Sequence, residues 1–273
     1  MDNEFGDAFG QLLADRCTPE AVRGIERGEG ADALWHDLVE SGFVDALVPE
    51  AQGGAGLSLH EVLPLVQACG YHALPLPFAE TMAARAVLAH ARRQWPDGPV
   101  TLDAIGDALP VEDRGALHAA LTTAQIAGAA ARVLEMSIAH AQQRTQFGKP
   151  IGSFQAVQHQ LSVMAEHACA ARMAAQLSFA SASHLPDRTL AAMGKSVAGE
   201  AAAVLAAGSH AVHGAIGITA EFDLQLYTRR LLAWRVQGGS PSHWAMQVAR
   251  QWWSGSHDRA IDFTLERLGA ARF

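Results

Sequence analysis

The residues best suited to chemistry gather in one stretch, Ala139 to Ala165, which reads AHAQQRTQFGKPIGSFQAVQHQLSVMA. It sets Arg144, Lys149, Gln155 and Gln158 around Phe147, Gly148 and Pro150. Pro150 has no N–H and cannot continue a helix, so the basic run must be a turn between two helices. Ser153 stands where a helix N-cap belongs, and Phe154, Val157, Leu161 and Met164 recur at the spacing of one helix face. A guanidinium, an ammonium, two amides and the unpaired N–H groups of a helix start make a seat for a pyrophosphate or another anion. The same residues also suit a solvated basic turn that binds nothing, and chemistry alone leaves both readings open.

Three other patterns carry less. His210 and His213 share a helix face at i,i+3, but no carboxylate or cysteine joins them at a ligand-like spacing and no HExxH-type pattern occurs, so no metal site is expected. Gly194-Lys195-Ser196 imitates the end of a phosphate loop, yet Thr189 stands where the first glycine is required and the triplet lies mid-helix. Gly53, Gly54 and Gly56 have the wrong spacing for a dinucleotide fingerprint and read as a tight turn that needs residues without a Cβ.

The run R-T-Q-F-G-K-P-I-G-S-F-Q-A-V-Q from Arg144 to Gln158 resembles the most recognisable segment of the flavin-dependent acyl-CoA dehydrogenases. The resemblance extends upstream to WHDLVESGFVDALVPEAQGGAGLSLHEV (35–62) and CGYHALPLPFAET (69–81), and downstream to AVHGAIGITAEFDLQLYTRR (211–230). It implies that Arg144, Phe147 and Gln155 contact the FAD of a neighbouring subunit and that the Gly214 turn belongs to the same cradle. In the downstream marker Gly214, Gly217, Glu221 and Arg229 are kept, while a flavin-contacting glutamine is replaced by Ala211 and a glycine by Ala215.

The resemblance also sharpens what is missing. In most members a glutamate beyond that marker removes the α-proton of the acyl-CoA as hydride leaves the β-carbon. Ungapped spacing puts this position on Gly238, and one residue of slip puts it on Gln237; neither is a base. Other members carry the glutamate on the helix before the Arg144 turn, and that position is His118, which can act as a base near neutral pH or simply line an interface. Members also carry a middle β-domain of roughly a hundred residues, whereas only Gln94 to Pro110 is available here, enough for one short strand at Val100 to Ile105 or a plain linker. The implied function is an FAD-dependent acyl-CoA dehydrogenase subunit whose site is completed by a partner. The alternatives are a non-catalytic half of a hetero-oligomer and a flavin-free acyl-CoA lyase or hydratase using His118. The implied partners are an acyl-CoA and either a second copy of this chain or a second, full-length family subunit.

The elements that must position these residues are helices. Of 273 residues, 49% are hydrophobic, 18% charged and 7% aromatic, and strand-like runs are scarce. The expectation is an all-α chain: an N-terminal helical domain (1–93), a linker (94–111) and a C-terminal up-down four-helix bundle (112–273). Within it, helices are expected at Glu4–Arg16, Ala31–Ser41, Ser58–Cys69, Ala79–Arg92, Glu112–Gln143, Phe154–His184, Arg188–His213, Glu221–Arg235 and His243–Ser254, with a tail segment at Ile261–Leu268. A net charge of -8 argues against nucleic acid. Cys17, Cys69 and Cys169 suit buried thiols in a reducing compartment, no stretch reads as a membrane span, and a cytoplasmic location is expected.

Overall fold

The computed structural model describes residues 4–255 and 259–270. Its helices are α1 (Glu4–Arg16), α2 (Pro19–Glu26), α3 (Asp32–Glu40), α4 (Leu59–Tyr71), α5 (Phe78–His90), α6 (Val111–Gln143), α7 (Gln155–Ser178), α8 (Arg188–His213), α9 (Leu224–Val236), α10 (Pro241–Ser254) and α11 (Ala260–Ala270). The only strands among the described residues are β1 (Thr145–Gln146) and β2 (Lys149–Pro150), an antiparallel pair inside the basic turn. The protein is all-α, and the described residues form no middle β-domain.

Local chemistry fixes many of the boundaries. The Ser58 hydroxyl accepts from the Glu61 N–H and the Glu61 carboxylate accepts from the Ser58 N–H, a closed capping box that starts α4. The Asp187 carboxylate accepts the Thr189 and Leu190 N–H groups at 2.8 and 2.9 Å and starts α8. Helix α2 is absent from the sequence reading, although Thr18-Pro19, an N-cap followed by proline at the first position, is its signal. Ser153 does not cap α7; its hydroxyl donates to the Pro150 carbonyl at 2.7 Å, and Phe154 occupies the N-cap instead.

The long helices α6, α7 and α8 pack side by side, and α9 and α10 close the bundle against α8. The N-terminal helices share its core: α4 crosses α6 where a Cβ on Gly70 or on Gly128 would lie 1.9 Å from a backbone oxygen of the other helix. One continuous apolar cluster runs from Phe9 and Leu38 through Met82 and Leu121 to Leu205 and Leu231. The segment Arg188–Ile218, α8 with the turn after it, meets the length and composition of a membrane span, which the sequence reading did not expect. It is nonetheless packed against α6, α7, α9 and α10 and holds a fully buried lysine, Lys195. Cys17 and Cys69 are buried, burial pushing the Cys17 thiol up to about 12, but Cys169 is exposed on α7.

The segment that stands in place of the middle domain is a packed plug. It forms no strand; Leu102–Ala108 is 3₁₀ helix broken by a kink at Gly106, where φ is 61°. Leu102 and Ile105 are three apart and both buried, with Val100 and Leu109, so the apolar period is that of a tight helix and not of a strand. Arg85 of α5 locks the plug by donating to the Asp97 carbonyl at 3.1 Å and to both Asp45 oxygens at 3.0 and 3.1 Å.

Candidate functional site

The residues singled out by sequence fall at opposite ends of α6. At its C-terminal end, Arg144 ends the helix and β1 and β2 form a hairpin whose turn residues, Phe147 and Gly148, have φ of 51° and 78°. Two consecutive positive φ values give the turn that matches strand twist, with glycine at the second place. This geometry throws the Phe147 ring outward, 91% exposed. Lys149 Nζ lies 4.4 Å from the centroid of Phe154, whose ring meets Phe147 edge-on at 6.1 Å. The Arg144 and Gln155 side chains are exposed, and among the described residues no ion pair holds the Arg144 guanidinium.

Gly214 lies at the same end, because α8 runs alongside α6. There His140 of α6 stacks on His213 of α8 at 4.4 Å, and Phe222 packs against both. Burial, followed by its neighbours' charges, holds both imidazoles below the usual histidine range. Of the glycines in the adjacent turn, Gly217 has a packing role, since a Cβ there would lie 2.9 Å from the His213 Cβ, whereas Gly214 has open space and a φ of 65°. His210 donates to or accepts from Thr228 Oγ1 at 3.0 Å, and no cluster of metal-ligating side chains exists among the described residues.

The other end gathers the residues mapped to the missing base. His118, near the start of α6, lies 3.3 Å from the Gln237 amide and beneath Gly238, which follows α9 at φ 68°. The sequence offered these as alternatives; the structure brings them into contact. A cleft of about 520 Å³ opens here, walled by Thr101, Leu102 and Asp103 of the plug, by Val111, Arg114, Gly115 and His118 of α6, and by Gln237 and Gly238. A third group was missed: Glu80 of α5, whose Oε1 is 3.6 Å from His118 Nε2 and whose Oε2 accepts the Leu102 N–H at 3.4 Å. The His118 contact, ahead of other causes, holds the Glu80 carboxyl below its usual 4.5. Its signal in the sequence is that Glu80 is the lone carboxylate of FAETMAARAVLAH, a helix of mostly small and apolar residues. Lys195, fully buried, steadies the α9 terminus by donating to the carbonyls of Trp234 and, at 3.2 Å, Arg235.

Arg144 caps the end of α6, 26 residues beyond His118 along one uninterrupted helix, so the two are roughly 39 Å apart at 1.5 Å per residue. No single ligand of ordinary size spans that distance within one chain.

Residues 116–252 match the family model described as acyl-CoA dehydrogenase, C-terminal domain. The chain belongs to the acyl-CoA dehydrogenase family. It is similar to acyl-CoA dehydrogenase IpdE2 of Mycobacterium tuberculosis, 30% identical over 82% of this chain and 88% of that one. Among solved structures it shares its fold with the steroid ACAD Tcur3481–Tcur3483 (TM-score 0.80, 20% identity, 93% of this chain and 98% of that one). It shares it also with the ChsE4–ChsE5 complex of Mycobacterium tuberculosis (TM-score 0.76, 17% identity, 94% and 100%).

Proposed function

We propose that this family member is one subunit of an FAD-dependent acyl-CoA dehydrogenase whose site is completed by a partner subunit. The roughly 39 Å between the Arg144 turn and the His118 cleft carries this reading. A flavin held at the turn cannot reach the cleft of the same chain, and the domain that shields the flavin ring elsewhere in the family is replaced here by the plug. The turn fits a flavin dinucleotide: an outward ring, a guanidinium with no ion pair among the described residues, and an exposed amide. When bound, FAD supplies the hydride acceptor. Arg144 would grip two phosphate oxygens, Phe147 would cover apolar surface of the cofactor, and Gln155 would hydrogen-bond to it. The substrate class is an acyl-CoA, and the steroid ACAD among the structural neighbours favours a bulky, ring-bearing acyl group.

The neighbouring ChsE4–ChsE5 complex, a pair of different chains, supports assembly with a second family subunit. The test is co-expression with a full-length, glutamate-bearing family subunit from the same genome. The expected outcome is a colourless chain alone and a yellow, active complex in which Arg144→Ala loses flavin. A chain that is yellow and active by itself overturns the proposal. A second reading, a purely structural half, is favoured by the bare Gly238; it predicts a complex whose flavin content ignores Arg144.

A further inference from the structure

His140 stands one turn before Arg144 on α6, and the Arg144 N–H donates to the His140 carbonyl at 2.8 Å, so both side chains leave the same end of the helix. The imidazole is held by ring contacts alone. One face stacks on His213 at 4.4 Å, and Phe222 meets it edge-on at 6.3 Å. Its own edge is open: among the described residues neither ring nitrogen has a hydrogen-bond partner, and neither is sealed from solvent. A stacked ring with an unpartnered edge is oriented before any ligand arrives, which lowers the entropy cost of a contact made there.

The ring behind it stays neutral. His213 is 6% exposed, its Nδ1 lies 2.8 Å from the Ser209 carbonyl and carries the hydrogen, and burial favours its uncharged form. His140 is the half-buried member of the stack and lies in the last turn of α6, where the carbonyl end of the helix favours a cation. In the chain as it stands, desolvation and then the Arg144 charge hold its imidazole below the usual 6.5. The groups around it are few. Arg144 comes from α6, and His213 and His210 from α8. After α8, Asp223 is paired with Arg23, and Glu221 is exposed with no ion pair among the described residues. Lys149 of the hairpin is engaged over the Phe154 ring.

We propose that His140 is a further residue of the anion seat, its open edge donating to the diphosphate that Arg144 holds. The inference rests on the flavin reading above and adds a residue that the sequence spacing did not point to. With the anion in place the Arg144 charge is answered, and His140 takes a proton from solvent and donates it in a charge-assisted hydrogen bond. Binding is therefore coupled to proton uptake. Affinity rises as pH falls from the ring's bound titration point to its free one, by up to about tenfold per pH unit.

The probe is ADP-ribose, a diphosphate diester whose phosphates do not titrate near neutral pH. It is added to the full chain carrying isotope-labelled histidine, and binding and ring titration are followed by NMR between about pH 6 and about pH 8, across the histidine range. His140→Phe keeps the stack, removes the edge and identifies the His140 signal. The expected result is tighter binding at the lower pH and a His140 titration that moves up when ligand binds. His140→Phe should bind roughly tenfold more weakly at about pH 6, within the range for one charge-assisted hydrogen bond, and with no pH dependence. A flat pH profile in the wild type, a His140 titration that ligand does not move, unchanged binding in His140→Phe, or no binding at all overturns the inference. If His140→Phe misfolds by circular dichroism, His140→Gln, which can donate but not charge, must bind with a flat profile, and a slope retained there also overturns it. In the partner complex the probe is FAD. Capture that needs Arg144 but ignores both His140 and pH sinks this inference and leaves the flavin reading standing. Proton-linked ADP-ribose binding by a chain whose complex stays colourless does the reverse.

Discussion

At the turn end of α6, Arg144, Phe147, Lys149 and Gln155 reach into solvent. At the cleft end, Glu80, His118 and Gln237 lie against one another, and Lys195 is committed to the carbonyls that end α9. The contrast teaches how to separate an outward-facing surface from an inward-facing one. A hairpin that holds left-handed backbone at Phe147 and leaves a large apolar ring in water gains nothing from folding alone, which is the pattern the proposed flavin seat requires. A carboxylate, an imidazole and an amide that face one another within a walled cleft find their partners inside the chain.

The largest effect that could break this comparison is at the turn. Arg144→Ala in the partner complex should weaken FAD binding by about 1.5–3 kcal/mol, the range for charge-assisted hydrogen bonds, without moving the urea midpoint of the chain. A lowered midpoint with unchanged flavin affinity would show instead that Arg144 serves the fold.

Glycine substitutions come next and sharpen the same contrast. Gly238→Ala meets both a left-handed backbone and the His118 ring, and should cost about 2 kcal/mol or more in urea unfolding. Gly148→Ala, with φ 78° but open space around its Cβ, should cost only the conformational part, about 1 kcal/mol. Equal losses would mean that His118 yields freely and does not fill the space beside Gly238.

Lys195 gives a smaller, pH-dependent effect. Burial, with the Arg235 charge adding to it, brings its ammonium down from 10.5 to about 8. Between these values the unfolded chain binds more protons than the folded one, so this group makes stability rise as pH climbs from about 8 to 10.5. Lys195→Met should remove that rise, read as urea midpoints at about pH 7.5 and about pH 9.5, on either side of the folded value.

Smallest is the contribution of the Glu80–His118 contact. The Glu80 carboxyl is held below 4.5, so its stabilisation is present above that pH and is lost as pH falls through the folded value. His118→Ala should flatten the acid limb of the stability curve by a few tenths of a kcal/mol, consistent with a partly exposed pair. An unchanged acid limb would place the shift of Glu80 elsewhere.

Most helices were legible because their signals are local. Glu4–Arg16 and Arg188–His213 appear at the expected boundaries, and the Ser58–Glu61 capping box is where the spacing put it. Helix α2 is short, and its two-residue signal lies between stronger segments, so it escaped. The 94–110 segment reads as strand or linker because Val100, Leu102 and Ile105 fit a period of two or of three over so few residues, and only the face of α5 decides between them. Cys169 was expected to be buried by residue type, but it lies on the outward face of α7.

By itself the sequence determined the helical class, the basic turn with its Arg144 and Phe147, and the absence of a carboxylate at Gln237 and Gly238. Those depend on residue type and on spacings of a few positions, which the backbone converts directly into local geometry. Tertiary structure alone decided that His118 fills the notch over Gly238, that Glu80 stands behind it, and that both lie a full helix length from Arg144. Positions 80, 118 and 238 are far apart in the chain, and contact between them is set by how α5, α6 and α9 pack, which no local spacing encodes.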